Sequence, residues 1–120
     1  TARRVTLLNV LGDELQVASP GVVKFSVGGQ ALSLVAFEEN GKLWFVFTDT
    51  TAGNGTYRAA RFLYADPPRQ GKVLLDFNRA ENPPCAYNPF TTCPLPPREN
   101  RLPIPVTAGE RDYPNRWQPR

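Results

Sequence analysis

The sequence predicts an all-β domain: a small antiparallel barrel or sandwich with a proline-rich, irregular C-terminal wrap. Three observations carry that expectation. From Val5 to Phe47 the apolar residues recur with a period near two and are rich in β-branched and aromatic types, the pattern of half-buried strands. No window of helical length carries an apolar stripe at the helical period. Twelve of the thirteen prolines fall in residues 67–120. They remove backbone donors and fix φ, so Pro83 to Pro105 can form neither a helix nor a central strand.

Taken in order, Val5 to Val10 forms a strand, Gly12-Asp13 turns, and Glu14 to Ala18 pairs back. Ser19-Pro20-Gly21 punctuates the chain. Val23, Phe25 and Val27 then alternate with Lys24 and Ser26, and Gly28-Gly29 supplies the positive φ of a tight hairpin. Gln30 to Phe37 returns with Leu32 and Leu34 on one face and Ser33 on the other. Asn40-Gly41 marks the next turn. Leu43 to Thr48 is almost wholly apolar, which predicts burial on both faces. Asp49 to Gly55 reads as a loop, Thr56 to Ala65 as a strand ended by Asp66-Pro67-Pro68. Gly71-Lys72 turns into a last strand, Val73 to Phe77. Six or seven short strands joined by loops too short for a crossover imply antiparallel order. A chain of 120 residues fits one domain, with strands over 1–77, the wrap over 78–110 and a tail over 111–120. Tyr87, Phe90, Leu95, Leu102, Ile104 and Val106 are the apolar anchors that let the wrap pack. Tyr113 and Trp117 leave the tail little to hold it, so partial order is expected there.

Bulk properties exclude several classes. At 41% hydrophobic and 21% charged the chain is too apolar to be disordered throughout. No apolar run approaches the roughly 18 residues of a membrane span, and Thr1 to Val10 does not read as a signal peptide. No membrane partner is expected, and the expected compartment is cytoplasmic. The lack of methionine, even at position 1, fits a fragment of a longer chain. Net charge is +3, all of it from residues 67–120, and eleven of the fourteen basic residues are arginine. Basic residues never cluster three in a row, so no nucleic-acid partner is expected. Histidine is absent. That removes Ser-His-Asp and Cys-His catalysis together with the commonest transition-metal ligand. No cofactor and no metal are expected.

The stretch from Val73 to Arg101 reads VLLDFNRAENPPCAYNPFTTCPLPPRENR and holds both cysteines. It resembles the bacterial family catalogued as domain of unknown function 1684, matching at Asp76, Phe77, Asn78, Arg79, Asn82, Pro83, Pro84, Cys85, Cys93, Glu99 and Asn100. Ala108-Gly109-Glu110 continues the match. A second similar segment runs from Phe47 to Leu63, with Asp49, Thr51, Gly53, Thr56, Tyr57, Arg61 and Phe62 in place. It departs at Arg58-Ala59-Ala60, where members carry glycines. Longer members also have an upstream segment. The resemblance implies a location for a site and names no activity.

Asp76, Asn78 and Arg79 stand where an apolar strand ends, with Asp76 and Asn78 on one face at period two. They either contact a ligand or make structural hydrogen bonds that pin the wrap. Asn82, Glu99 and Asn100 carry the same two readings. Arg61 with Asp49 or Asp76 makes either a buried ion pair or a clamp for a ligand carboxylate. Cys85 and Cys93 flank seven residues; reduced, buried thiols rank ahead of a disulfide, and metal ranks last. The expected function is a ligand-binding module for a small anionic compound, held by Arg61 and Arg79 and oriented by Asp76, Asn78, Asn82 and Tyr57. The alternatives are a hydrolase-like enzyme with Asp49, Asp76 or Glu99 as acid/base, and a structural or partner-binding domain. A homodimer is compatible with such a fold.

Overall fold

A strand that is apolar on both faces must be covered twice, and Leu43 to Phe47 imposes that demand on the whole architecture. The computed structural model describes residues 3–88 and 93–112, so the expectations placed on Phe90, Tyr113 and Trp117 lie outside the described residues. Six strands are present among them: β1 (Arg3–Leu8), β2 (Glu14–Ser19), β3 (Gly21–Val27), β4 (Gln30–Glu39), β5 (Lys42–Phe47) and β6 (Arg61–Ala65). Strands β3-β4-β5-β6 form one antiparallel sheet in that order, and β1-β2 a separate hairpin. Neither sheet closes into a barrel among the described residues; the two antiparallel sheets fit a sandwich-like arrangement.

Both tight hairpins follow from turn chemistry. Gly28 and Gly29 have φ of 56° and 82°, and Asn40 and Gly41 have 53° and 79°. These are the paired positive values of a two-residue turn that matches strand twist. The resulting registers, Val27 opposite Gln30 and Glu39 opposite Lys42, put Leu34, Leu43, Phe45, Phe47 and Leu63 on one face. Ala80, Leu102 and Val106 of the wrap cover that face. On the other, Val35 and Phe37 are covered by Val5 and Leu7 of the β1-β2 hairpin, while Val46 packs with Ala60 and Phe62. Each fully buried phenylalanine contributes on the order of 1.5–3 kcal/mol through removal of apolar area from water.

Two expected strands are not formed as read. The strand placed from Thr56 begins only at Arg61. Its first residues are claimed locally: Thr56 N–H donates to the Thr51 carbonyl, Gly53 N–H to the Thr56 carbonyl, and the two threonine hydroxyls bond each other at 2.9 Å. Val73 to Phe77 joins no strand. Its alternation is real, with Leu74 82% exposed and Val73 and Leu75 packed on the core. The free edge of β6 is taken instead by Glu81, which exchanges two 2.8 Å backbone hydrogen bonds with Phe62. The segment before it therefore crosses the face of the sheet. Phe77–Arg79 is a 3-10 turn capped by Asp76, whose Oδ1 accepts from Asn78 N–H at 3.1 Å, so Asp76 and Asn78 do not share a strand face.

The cysteine ordering is also corrected: Cys85 and Cys93 form a disulfide. A 3-10 turn at Pro84–Ala86 and a bond from Val10 N–H to the Cys93 carbonyl fix the two segments. The Cα atoms stand 6.2 Å apart, a separation a disulfide spans. Among the described residues no helix is long and apolar enough to cross a membrane.

Candidate functional site

Asp49 leaves the end of β5 and Arg61 opens β6, opposite Phe47. Both side chains are almost fully buried, with Arg61 Nη2 3.4 Å from Asp49 Oδ2. The guanidinium also donates to the carbonyls of Ala108 (2.6 Å), Val106 (2.8 Å) and Glu110 (3.4 Å), and lies over the Phe47 ring at 5.3 Å. Asp49 accepts in turn from Val106 N–H at 2.6 Å and from the Thr51 hydroxyl at 2.7 Å. Burial pushes the Arg61 guanidinium below its ordinary value, Asp49 pulls it back up, and Arg111 adds to the lowering. An arginine that can never discard its proton here must be paired, and the wrap supplies the acceptors. Asp49 and Arg61 thus meet as a buried pair that fastens residues 106–110 to the sheet.

The remaining singled-out residues are scattered. Asn100, at 0% exposure, sits between β4 and β5 on a 3-10 turn (Arg98–Asn100). Its Oδ1 accepts from Val35 N–H at 2.7 Å, and its Nδ2 donates to the Val35 and Val46 carbonyls at 3.0 Å each. Asn82 N–H donates to Glu110 Oε1 at 2.6 Å and Asn82 Nδ2 to the Arg111 carbonyl at 2.9 Å, while the Tyr87 hydroxyl donates to Glu110 Oε2. Tyr57 hydroxyl reaches the Cys85 carbonyl at 3.4 Å. Asp76 and Arg79 make a solvent-facing pair at 4.0 Å, Asn78 is exposed beside them, and Glu99 lies exposed on the turn that carries Asn100. The structure brings Asp49 to Arg61, and Asn82 to Glu110; it does not gather the nine residues into one cavity.

Two larger clefts lie on opposite faces of the four-stranded sheet. The first, about 730 Å³, opens where Gly21, Val23, Ala36 and Leu43 end the wrapped face and the loop of Pro67, Pro68 and Gly71 begins to cover it. Lys24, Lys42 and Lys72 all line it, and these are all the lysines of the chain. Lys42 stands 3.7 Å from Asp66 with both side chains exposed, whereas Lys24 and Lys72 have no ion-pair partner among the described residues. Nothing in the linear spacing of positions 24, 42 and 72 announces that they line one cleft. The available signal was the scarcity of lysine in an arginine-rich chain.

The second cleft, about 680 Å³, is walled by Trp44, Phe62, Tyr64 and Tyr87, with Glu39, Glu81 and Glu110 among its lining groups. Glu38 lines the first cleft and Glu39 the second. Desolvation, then Glu39 and Glu81, push the Tyr64 hydroxyl up to about 12; desolvation and its bond to Glu110 raise Tyr87 as well. Among the described residues no group of three or more Cys, Asp or Glu is placed to hold a metal ion.

Residues 1–111 match the family model described as protein of unknown function (DUF1684). The chain belongs to that family. It is also similar to the solution structure of an uncharacterised protein from gene locus rrnAC0354 of Haloarcula marismortui, at 34% identity and a TM-score of 0.72. That likeness covers 92% of this chain and 64% of the other, so the chain spans a little under two thirds of that protein's length. No curated protein matches. The likenesses identify the family and support the fold; they carry no activity.

Proposed function

We propose that the chain is a binding module for a small anionic compound with an apolar body, and that the compound lies in the lysine cleft. The observation that carries this reading is that Lys24, Lys42 and Lys72, from three separate segments, all line one cleft together with Val23, Ala36, Leu43 and Val73. A volume near 730 Å³ falls in the range of small-molecule sites, and an apolar floor with a few charged groups is their usual construction. Ammonium groups on flexible stems suit a carboxylate or phosphate approached from several directions. Arg61, by contrast, spends its donors on Asp49 and on backbone carbonyls. The anion therefore rests on lysines in this reading.

Calorimetric titration at low salt with hexanoate, hexyl phosphate and hexanol tests the reading. Expected is saturable binding of one or both anions and none of the neutral alcohol. Lys72→Ala should weaken binding about threefold to tenfold, since a surface charge contact is worth on the order of 1 kcal/mol. The double variant Lys24→Ala/Lys72→Ala should abolish it. Anion binding that survives the double variant, or failure of both anions to bind at millimolar concentration, would refute the assignment.

A further inference from the structure

We infer that the aromatic cleft on the opposite face binds an organic ammonium ion that carries at least one N–H, independently of the lysine cleft. Three observations converge. The first is the wall itself: Trp44 meets Phe62 edge-on at 5.2 Å and 88° and stacks near-parallel to Tyr64 at 6.5 Å and 12°. Aromatic rings attract a cation over their faces. The second is charge. Glu39, Glu81 and Glu110 line the cleft with no basic side chain among its lining residues, and after desolvation the same carboxylates add to the raising of the Tyr64 and Tyr87 hydroxyls.

The third observation is an unmet hydrogen bond. Asn82 is 7% exposed and lines this cleft, and its Nδ2 is engaged, but its Oδ1 is buried with no partner. A buried acceptor left unpaired is costly, and a protonated amine supplies both the missing donor and the positive charge the carboxylates favour. Trp44, whose Nε1 is the other buried side-chain polar atom without a partner among the described residues, also lines the cleft. Being a donor, that nitrogen suits a hydroxyl or carbonyl oxygen close to the ammonium group. The ligand class that meets all of these groups is an alkylated amine with a neighbouring oxygen, such as an amino alcohol.

The test is proton–nitrogen correlation spectroscopy of the full chain, with the Trp44 indole resonance assigned by comparison with Trp117→Phe. The probes are protonated dimethylethanolamine, choline (which has no N–H) and the uncharged carbon analogue dimethylbutanol. Dimethylethanolamine should shift the Trp44 indole signal saturably, choline should bind severalfold more weakly, and dimethylbutanol should leave the signal unmoved. Glu81→Gln should weaken the amine about threefold to tenfold with an unchanged unfolding midpoint, as expected for an exposed carboxylate acting through charge. An unshifted Trp44 signal overturns the inference, as does equal binding of dimethylbutanol. Equal affinity for choline overturns the role given to Asn82, and full affinity in Glu81→Gln overturns the role given to charge.

Discussion

Replacing Asn100 with alanine should cost about 3–5 kcal/mol, and the figure can be built from the ladder itself. Phe62 gives both backbone groups to Glu81 at the outer edge of β6, so in the antiparallel pattern Val46, its partner, turns its carbonyl toward β4. On β4, pairing with β5 extends only from Phe37 to Glu39, leaving Val35 N–H and C=O without a strand beside them. The Asn100 amide fills the gap with three bonds of 2.7 to 3.0 Å at zero exposure. Alanine strands one donor and two acceptors, each costing about 1–3 kcal/mol when water cannot reach it, with partial relief where it can. Set against a typical total of about 5–15 kcal/mol, the loss is severe. Urea unfolding followed by circular dichroism measures it, with Asn78→Ala, an exposed position, as the control within about 0.5 kcal/mol of wild type. Asn100→Asp should be no rescue, because a carboxylate faces the two carbonyls that the amide nitrogen served. A loss below about 1 kcal/mol for Asn100→Ala would show that the gap closes by itself and would refute the reasoning.

The other expected outcomes rest on separate contacts. Gly109→Ala should cost about 2–4 kcal/mol in chemical unfolding, because φ is +87° and an added Cβ falls 2.7 Å from the Phe77 carbonyl oxygen and 2.8 Å from Ala80 Cβ. Gly12→Ala, with φ of +88° and open space around it, should lose much less. Arg61→Met should destabilise by about 3–5 kcal/mol by leaving Asp49 buried and charged, and Asp49→Asn added to it should restore part of that loss on thermal melting. Ultraviolet titration should find one tyrosine ionising near 12, and Glu39→Gln should bring Tyr64 down. Since the folded value is raised, the stability Tyr64 contributes is fully present below the ordinary tyrosine value near 10 and is lost as pH rises from there through about 12. Reduction of the Cys85–Cys93 bond, which closes a loop with a sequence separation of 8, should lower stability by about 2–3 kcal/mol on comparison of oxidised and reduced melts.

Local chemistry made much of this fold readable from the chain. Gly28-Gly29 and Asn40-Gly41 fix two hairpins because they satisfy positive φ within two residues, and the apolar run of β5 announces double burial by itself. Val73 to Phe77 misleads for a physical reason: alternation reports that one side is buried, and a segment lying across a sheet face satisfies it as well as a paired strand does. Asp49 and Arg61 could be paired from sequence as one of two readings. Choosing between them required the Val106, Ala108 and Glu110 carbonyls, which come from the far end of the chain. Neither cleft was legible, since the first joins lysines 18 and 30 residues apart and the second joins β5-β6 aromatics to carboxylates from β4 and the wrap.

Several residues that carry the family resemblance share one mechanical task. Asp49 and Arg61 hold residues 106–110, Asn100 substitutes for a strand between β4 and β5, Asn82 and Glu110 tie the wrap to itself, and Gly109 allows close approach to Phe77 and Ala80. An irregular, proline-rich segment has few backbone donors to spend on a ladder, so side-chain amides, a carboxylate and a guanidinium must take over that work if the core face is to be covered. This accounts for a long and specific motif that nonetheless names no chemistry: its buried polar members fasten, while Asp76, Asn78, Arg79 and Glu99 face solvent. Of these fasteners Asn82 and Glu110 also line the aromatic cleft, and none lines the lysine cleft. A likeness resting on the fasteners therefore transfers the fold between relatives and brings no activity with it.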